Sequence, residues 1–417
     1  MMLHRVPEFW KTISSLLSPF ASFLSPSGSL NSLITLKATS LLSHAPDDEL
    51  LFPEQDVATG LFRVRLGLRT KHSDWMNTEL AYEQRARAST EAAATTVGAG
   101  ILPSVAEAPF RITQLDWQLA EADNFSYRHE FDRALVALHP GCGEVTVGRQ
   151  AIGLGRGVLF GAVDIFSPFS PIEVDREWRR GVDAARVEYR VSDTSSVEAV
   201  AAFGESWEES ALLGRLRGYV GEVDGELIFG KRAEDEMVGG TISAAVGDAE
   251  MHIELAIFDT PEEQPDGGLF GDDTLVGKAV VGSSYTFDVG NGLTLLGEYH
   301  YSGFGVKDIE DIQARFFDPI FQERFLRGDT QILGRHAVAL RSNYPFSNIL
   351  SGGILILMSP VDGSGLFSPS AVWDMTQNVS LAVSGFIPWG AEPSNGQLRS
   401  EYGSSPASLF LQISAYF

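Results

Sequence analysis

Several features that other classes of protein need are scarce in this sequence. Its 417 residues contain one cysteine, Cys142, which excludes an intramolecular disulfide framework and a metal site built from several cysteines. The 31 Lys and Arg residues are outnumbered by 55 Asp and Glu residues, and the net charge of −24 opposes binding to nucleic acid. No run of apolar residues reaches the roughly 18 that a membrane-spanning helix needs, which excludes a helical membrane protein. A membrane protein that crosses with β-strands remains open.

Motifs for catalysis and for cofactor binding are also missing. The sequence contains no Gly-x-Ser-x-Gly nucleophile motif and no His-Glu-x-x-His zinc motif. Gly153, Gly155 and Gly157 lack the spacing of a dinucleotide-binding loop and the helix pattern that follows one. We therefore expect no enzymatic activity, no cofactor and no metal site.

The first 50 residues differ in composition from the rest of the chain. Two stretches rich in serine and leucine cover residues 12–24 and 29–42, and Lys37 interrupts the second. Ser43-His44-Ala45 has the small-x-small pattern of a cleavage site for an export signal. We interpret residues 1–50 as a signal-like or disordered segment, a start codon placed too early being the alternative, and residues 51–417 as the folded domain.

From residue 60 onwards, most of the chain alternates between apolar and polar residues, as a β-strand with two different faces does. The pattern is clear in residues 62–68, 251–257 and 409–417. Many such runs reach about nine residues, the length that a tilted strand needs to cross a bilayer. The polar faces carry charges that a packed sandwich core cannot hold unpaired, whereas a water-filled lumen can. The predicted lumen-wall residues are Arg63, Arg65, Arg69, Glu254, Lys278 and Glu298.

The connections between these runs alternate between short turns and long loops. Asn291-Gly292 is a hairpin signal, whereas residues 260–274, 304–333 and 390–406 are long connections rich in glycine, proline and acidic residues. Short turns at one end and long loops at the other are typical of transmembrane barrels. The sequence predicts an all-β fold: a single transmembrane antiparallel up-and-down β-barrel of about 16–18 strands.

One long loop, residues 304–333, has a helical pattern inside it. Ile309, Ile312, Phe316 and Ile320 recur at helical spacing, and Pro319 is expected to kink or split the helix. This short helix either plugs the barrel or lies on its surface.

Several motifs resemble those of Gram-negative outer-membrane β-barrel porins. Phe417, preceded by alternating apolar residues, resembles the signal that outer-membrane barrels present to the insertion machinery. A second block resembles a poorly characterised group of porin-like proteins similar in architecture to alginate-export-type barrels, although Leu154 stands where that group often has tryptophan. This block comprises Asp132-Arg133-Ala134-Leu135, residues 147–152, Gly155-Arg156-Gly157, residues 164–171, Asp175-Arg176-Glu177, residues 181–186 and Ser192-Asp193.

The resemblance implies a place and a set of partners. It implies the bacterial outer membrane, contact with outer-membrane lipid and lipopolysaccharide, assembly by the insertion machinery, and small solutes as cargo. It leaves a homo-oligomer open and implies no nucleic-acid partner.

Residues 153–181 join two predicted strands by a segment too long for a turn, and in porins such a loop often folds inward and narrows the pore. We interpret it as a constriction loop whose opposed charges filter solutes. The alternative is that these charges only pair with one another and hold the loop to the wall. The predicted pore residues are Arg149, Arg156, Asp164, Asp175, Glu177, Arg179, Arg180, Asp183 and Arg186.

The function expected from these patterns is a porin that allows diffusion or export of small polar solutes through a charged lumen. Arginines on the early strands make anions one candidate class of cargo, unless these arginines pair with Glu79, Glu83, Asp116 and Glu130 across the strands. A plugged structural or adhesive barrel without channel activity is the alternative.

Overall fold

The protein is a closed antiparallel β-barrel in a computed structural model that describes residues 29–90, 101, 109–166, 168–260, 274–312 and 319–417. Its strands are β1 (Ser29–His44), β2 (Asp56–Ser73), β3 (Met76–Ser89), β4 (Asp116–Ala122), β5 (Phe125–Leu138), β6 (Gly143–Gln150), β7 (Val182–Ser192), β8 (Ser195–Ala202), β9 (Ala211–Val220), β10 (Val223–Arg232), β11 (Asp235–Val246), β12 (Ala249–Asp259), β13 (Leu275–Phe287), β14 (Leu293–Ser302), β15 (His336–Ser347), β16 (Leu350–Met358), β17 (Gly365–Thr376), β18 (Val379–Trp389) and β19 (Ala407–Tyr416).

Eighteen of these strands form the wall, which confirms the predicted fold class. Each wall strand pairs with its neighbours in sequence, and β19 pairs with β1 to close the barrel. The short strand β4 is the exception. It pairs with residues 125–130 along one edge of β5, whereas β3 pairs with the whole length of the other edge. Closure satisfies the backbone hydrogen bonds along the wall, which a sheet crossing a bilayer requires.

The register separates two faces of the wall. On β12, Ile253, Leu255 and Ile257 point outward and are exposed, whereas His252 and Glu254 point inward and are buried. The same alternation puts Leu409, Ile413 and Phe417 at the end of the chain on the outward face. The outward face is therefore apolar and the inward face carries the charges, as the alternation predicts.

The two ends of the barrel differ. The end with tight turns, here called the short-turn end, includes residues 221–222, 247–248 and 377–378 and the start of β1 beside the end of β19. Gly221 and Gly247 have φ near +64° and +63°, the left-handed conformation that favours glycine in such turns. The opposite, long-loop end carries the connections 45–55, 151–181, 303–335 and 390–406.

The barrel begins earlier than the sequence patterns indicated. Residues 29–44 form β1, so the predicted boundary at residue 50 is wrong for this stretch, and residues 1–28 lie outside the described part of the chain. Thr35, Lys37 and Thr39 alternate inward on β1 and are buried, whereas the residues between them point outward. Lys37 is therefore a lumen residue of a strand, not an interruption of an apolar signal.

The described residues of the predicted helical loop include two helical stretches. A 3₁₀ helix spans Ile309–Asp311 and an α-helix, α1, spans Pro319–Arg327. Pro319 is the first described residue of α1. Ile309 and Ile312 pack in an apolar cluster with Phe321, while Phe316 lies outside the described residues. In the part of the chain that the structure covers, no helix is long and apolar enough to span a membrane.

Candidate functional site

The connection between β6 and β7, residues 151–181 and here called the inner loop, folds into the barrel. Its apolar residues Phe160, Val163, Ile165 and Phe166 are at most 2% exposed. They pack in two clusters with lumen-facing residues of the wall, which include Val200, Leu213, Ile228, Ala256, Phe258, Leu357, Phe386 and Phe410. Apolar packing therefore holds the inner loop within the lumen, as the predicted constriction loop requires.

Glu254 of β12 is the first polar anchor of the inner loop. Its Oε1 accepts hydrogen bonds from the backbone N–H groups of Arg156 and Gly157, the latter at 2.6 Å. Its Oε2 accepts from Ala162 at 2.7 Å and more weakly from Val163 at 3.4 Å. One buried carboxylate thus accepts hydrogen bonds from four backbone N–H groups that would otherwise be buried without a partner.

Glu298 of β14 is the second anchor. Its oxygens accept from the N–H groups of Val158, Leu159 and Phe160 at 2.6, 2.9 and 3.1 Å, and Nε2 of His252 lies 3.0 Å away. The remaining N–H in this stretch, that of Gly161, donates to the side chain of Gln331 at 2.8 Å. Every N–H from residue 156 to residue 163 therefore has a side-chain acceptor outside the inner loop.

The far side of the inner loop is held by charges of opposite sign. Asp175 pairs with Lys37 of β1 at 2.6 Å and with Arg63 of β2 at 3.1 Å, and Glu177 pairs with Lys37 at 2.6 Å. Trp178 lies under the Lys37 ammonium at 4.3 Å, within cation–π distance. The inner loop therefore spans the lumen from β12 and β14 to β1 and β2.

The loop is also tied to itself. Arg176 donates to the backbone carbonyls of Val158, Ser170 and Pro171 at 2.7–2.9 Å. Asp164 pairs with Arg179. Burial raises the pKa of Glu173 to about 7, and burial together with the positive charge of Arg85 lowers the pKa of Arg180 to about 10. The hydrogen bonds of Arg176 and the Asp164–Arg179 ion pair give the inner loop a fixed shape.

The arginines of the early strands pair with acids across the strands. Arg65 bonds to Glu83 at 3.1 Å and to Asp132 at 2.8 Å. Arg63 also faces Glu83, at 3.3 Å, and Arg69 pairs with Glu79 at 3.0 Å nearer the short-turn end. All three side chains point to the inward face, where they belong to a cross-strand ion-pair network, the alternative to an open anion path.

Two predicted pore residues lie on the other side of the wall. Arg149 and Asp183 face each other between β6 and β7 and form two hydrogen bonds of 2.7 and 2.8 Å. They share the outward face with the exposed Val147 and Val187, and Arg149 also donates to the carbonyl of Thr113, which covers it. The prediction that this pair lines the pore is therefore wrong, because the register turns both side chains away from the lumen.

A second charged group occupies the inward face of β7–β10. Arg186 of β7 pairs with Glu198 of β8 at 3.1 Å, and Arg215 of β9 pairs with Glu226 of β10 at 2.7 Å. Arg156 of the inner loop reaches the same wall, where it pairs with Asp224 and Glu226. Of the residues in this group, the sequence identified Arg156, which joins the inner loop to the wall, and Arg186 of the wall itself, but none of their acidic partners.

The loop that carries α1 is fixed at the long-loop end by another charged cluster. Asp329 pairs with Arg232 of β10 and with Arg324 and Arg327 of α1, the last two at 3.1 and 2.8 Å. These positive charges hold the pKa of Asp329 well below its usual range. The nearby wall residue Lys278 points inward and is 4% exposed.

A water-accessible cavity of about 1080 Å³ lies on the short-turn side of the inner loop. Residues of β1–β3 and β5–β7 line it, and Trp178 of the inner loop forms part of its inner boundary. Six cationic side chains and three carboxylates border the cavity, namely Arg65, Arg69, Lys71, Arg133, Arg179 and Arg186 with Glu79, Glu144 and Glu177. The difference, 6 − 3, makes the lining positive by three charges within an acidic protein.

Comparison with solved structures places this architecture among known folds. OccAB1 and OccAB4 of Acinetobacter baumannii match with TM-scores of 0.57 and 0.56 over 93% of this chain, and over 96% and 98% of theirs, at 8% and 10% identity. OccK11 of Pseudomonas aeruginosa matches with a TM-score of 0.55 over 93% of this chain and 96% of its own, at 10% identity. The chain has the fold of a Gram-negative outer-membrane porin.

Comparisons of the sequence, unlike those of the structure, find no relative of this chain. No family model matches the chain, and no curated protein is similar to it in sequence. At identities of 8–10% the solved structures establish the barrel fold alone, and the residues that face the lumen must be interpreted from this chain. The likeness to alginate-export-type barrels stays a prediction.

Proposed function

We propose that this protein is a channel of the bacterial outer membrane through which small polar solutes diffuse. The observation that carries the proposal is the inner loop, which two carboxylates and a buried ion-pair network hold across the lumen of a closed barrel. A pinned loop narrows a channel without the moving parts that active transport needs. The apolar outward face and its exposed aromatic residues fit a lipid environment.

The charge of the cavity favours anions over cations. Its lining carries three net positive charges, and low-dielectric walls concentrate such a field within a narrow passage. We propose small carboxylated or otherwise anionic solutes as the preferred cargo, with uncharged solutes of similar size next.

A second candidate function is a structural or adhesive barrel that conducts nothing. The observation that favours it lies on β15–β19, where the lumen-facing Ala339, Leu357, Leu366, Phe386 and Phe410 are at most 2% exposed. On this side, apolar side chains close the space between the wall and the inner loop.

Swelling of protein-loaded liposomes separates the two candidates. A carboxylate, an uncharged sugar and an alkylammonium ion of matched size serve as solutes, each added outside vesicles that contain refolded protein. If the protein is a channel, we expect the vesicles to swell in all three solutes and to swell fastest in the carboxylate. Absence of swelling from a protein that keeps the gel mobility of a folded barrel would favour the plugged alternative, and fastest swelling with the alkylammonium ion would refute the anion preference.

Assembly and lipid contacts are parts of the same proposal. The backbone of Phe417 pairs with Ile34 of β1 through two hydrogen bonds of 2.9 Å, so the last residue helps to close the barrel. We propose that Phe417 is read by the outer-membrane insertion machinery and that lipopolysaccharide surrounds the long-loop end. A homo-oligomer remains an open alternative to a single barrel.

A further inference from the structure

Many arginines that face the lumen are neutralised by carboxylates on neighbouring strands. Arg63 and Arg65 of β2 pair with Glu83 of β3, and Arg215 of β9 pairs with Glu226 of β10. A charge held away from water is costly unless it is paired, so such pairs are what a packed lumen requires. An inward arginine without a carboxylate therefore needs negative charge from another source.

Arg176 of the inner loop is such an arginine. Its half-buried guanidinium group donates to the backbone carbonyls of Val158, Ser170, Pro171 and Glu173 at 2.7–3.1 Å. These acceptors are neutral, and within the part of the chain that the structure describes Arg176 has no carboxylate partner. A guanidinium group has five N–H donors, so one N–H on Nη1 is left for a ligand.

A second arginine without a carboxylate faces the same place. Arg341 of β15 lies two residues beyond the inward Ala339, opposite Leu296 of β14 and Leu355 of β16. Among the described residues it has neither an ion-pair partner nor a hydrogen-bond partner. Burial and the positive charge of Arg341 lower the pKa of Arg176 to about 10, so the two guanidinium groups are close enough to repel each other.

The nearest acids are engaged elsewhere. Glu298 accepts three backbone hydrogen bonds from residues 158–160 and lies 3.0 Å from His252. Burial raises the pKa of Glu173 to about 7, so this carboxyl group is neutral in about half of the molecules at pH 7. Neither acid reaches Arg176 as an ion pair, and the excess of positive charge beside the inner loop remains.

The two arginines can be reached by water from the short-turn end. Val158, whose carbonyl binds Arg176, is 47% exposed. Asn343 and Ser351, which lie nearer the short-turn end on the inward face of β15 and β16, are also exposed. On the opposite side Leu357 is buried. The arginines thus lie on the floor of an accessible space, where apolar neighbours lower the local dielectric and strengthen the attraction for a negative charge.

We propose that a small oxyanion, a carboxylate or a phosphate, binds between Arg176 and Arg341 on the short-turn face of the inner loop. The planar donor groups of arginine match the oxygens of both anions. The ligand accepts the remaining N–H of Arg176 and the donors of Arg341, and takes the place of the missing carboxylate. The site lies between the inner loop and β15, whereas β1–β3 and β5–β7 line the basic cavity. Binding there does not depend on whether the barrel conducts.

The test is the fluorine NMR line width of trifluoroacetate titrated into refolded protein in detergent micelles at constant ionic strength. We expect the unmodified protein to broaden the signal and R341Q to bind at least about tenfold more weakly, which is the loss of one charge-assisted hydrogen bond. R69Q is the matched control, because it also removes one inward cation on the short-turn side, yet Arg69 pairs with Glu79 on the wall. No broadening by the folded unmodified protein, or equal losses in R341Q and R69Q, would overturn the site.

A second pair of variants covers the case in which R341Q fails to fold. L355E supplies a carboxylate opposite Arg341, so we expect it to abolish binding, whereas L355Q should retain it. Equal binding by L355E and L355Q would count against the site. Phosphate and acetate added as competitors identify the ligand, because the anion that displaces trifluoroacetate at the lower concentration is the one the site prefers. Displacement by neither would overturn the proposal. Binding by a folded protein that gives no conductance would uphold the site and refute only the channel function.

Discussion

Replacing Glu298 by glutamine is expected to loosen the inner loop without removing it from the barrel. The change keeps the size of the side chain, removes its charge and turns one acceptor oxygen into an N–H donor. That donor would face the backbone donors of Val158, Leu159 and Phe160, which now bind the carboxylate at 2.6–3.1 Å. His252, 3.0 Å from the same carboxylate, would lose its charged partner as well.

The magnitude follows from the bonds that the amide cannot make. Hydrogen bonds to a charged acceptor contribute about 1.5–3 kcal/mol each, and the substitution removes at least two of them, or about 3–6 kcal/mol. Because 1.4 kcal/mol is a tenfold change in an equilibrium, detached conformations of residues 158–160 become at least about 100-fold more populated. Glu254 and the apolar packing of Phe160 still hold the rest of the loop, so we expect transient openings, not a permanent one.

The assay is the conductance of single channels in a planar bilayer. The variant is expected to show brief steps to a higher conductance that the unmodified protein lacks. E79Q is the matched control, because Glu79 is also an inward acid that loses one charge, yet it pairs with Arg69 on the wall and does not touch the inner loop. Unchanged current traces from folded E298Q, or equal effects in E79Q, would refute the view that Glu298 fixes the inner loop.

Two further residues at the long-loop end give testable predictions. Q331L removes the acceptor for the Gly161 N–H and the donor to the carbonyl of Phe169, both at 2.8 Å. We therefore expect more current noise in the same bilayer recordings. Noise equal to that of the unmodified protein would show that Gln331 does not hold the inner loop in place. Burial and the charge of Asp362 raise the pKa of Glu401 from about 4.5 to about 7, so its protonated form favours the folded state below pH 4.5 and up towards pH 7. The contribution, about 3 kcal/mol, is lost as pH rises through that window. The unfolding temperature should fall between pH 4.5 and 7 in the unmodified protein and fall less in E401Q, and equal slopes would contradict the prediction.

The faces of the strands could be predicted from the sequence because strand alternation is a local property. Glu254 and Glu298 point into the lumen, and Leu409 and Phe417 point outward, as the period of two requires. The sequence alone does not identify β1. One lysine within a leucine-rich stretch is the pattern expected both of an imperfect export signal and of a strand with a polar inner face.

The contacts of the inner loop could not be predicted, because they depend on the path of the loop in space. Glu254 binds the N–H groups of residues 156, 157, 162 and 163, more than 90 residues earlier, and nothing in either stretch marks the partnership. Arg149 and Asp183 were assigned to the pore because they sit beside the inner loop in sequence, whereas the pairing of β6 with β7 turns both outward. Separating the buried Arg63 and Arg65 of β2 from the partly exposed Arg186 of β7 and Arg217 of β9 likewise requires knowing where the inner loop packs.

The central claim is that a pinned inner loop narrows the lumen and leaves it open. The most direct test is the single-channel conductance of refolded protein in a planar bilayer, with the reversal potential measured under a salt gradient. We predict stable conductance steps with a preference for anions, set by the net positive lining of the cavity beside the inner loop. A barrel that is folded by its gel mobility and yet gives no steps would contradict the claim, and the tight packing of β15–β19 would then extend around the whole lumen.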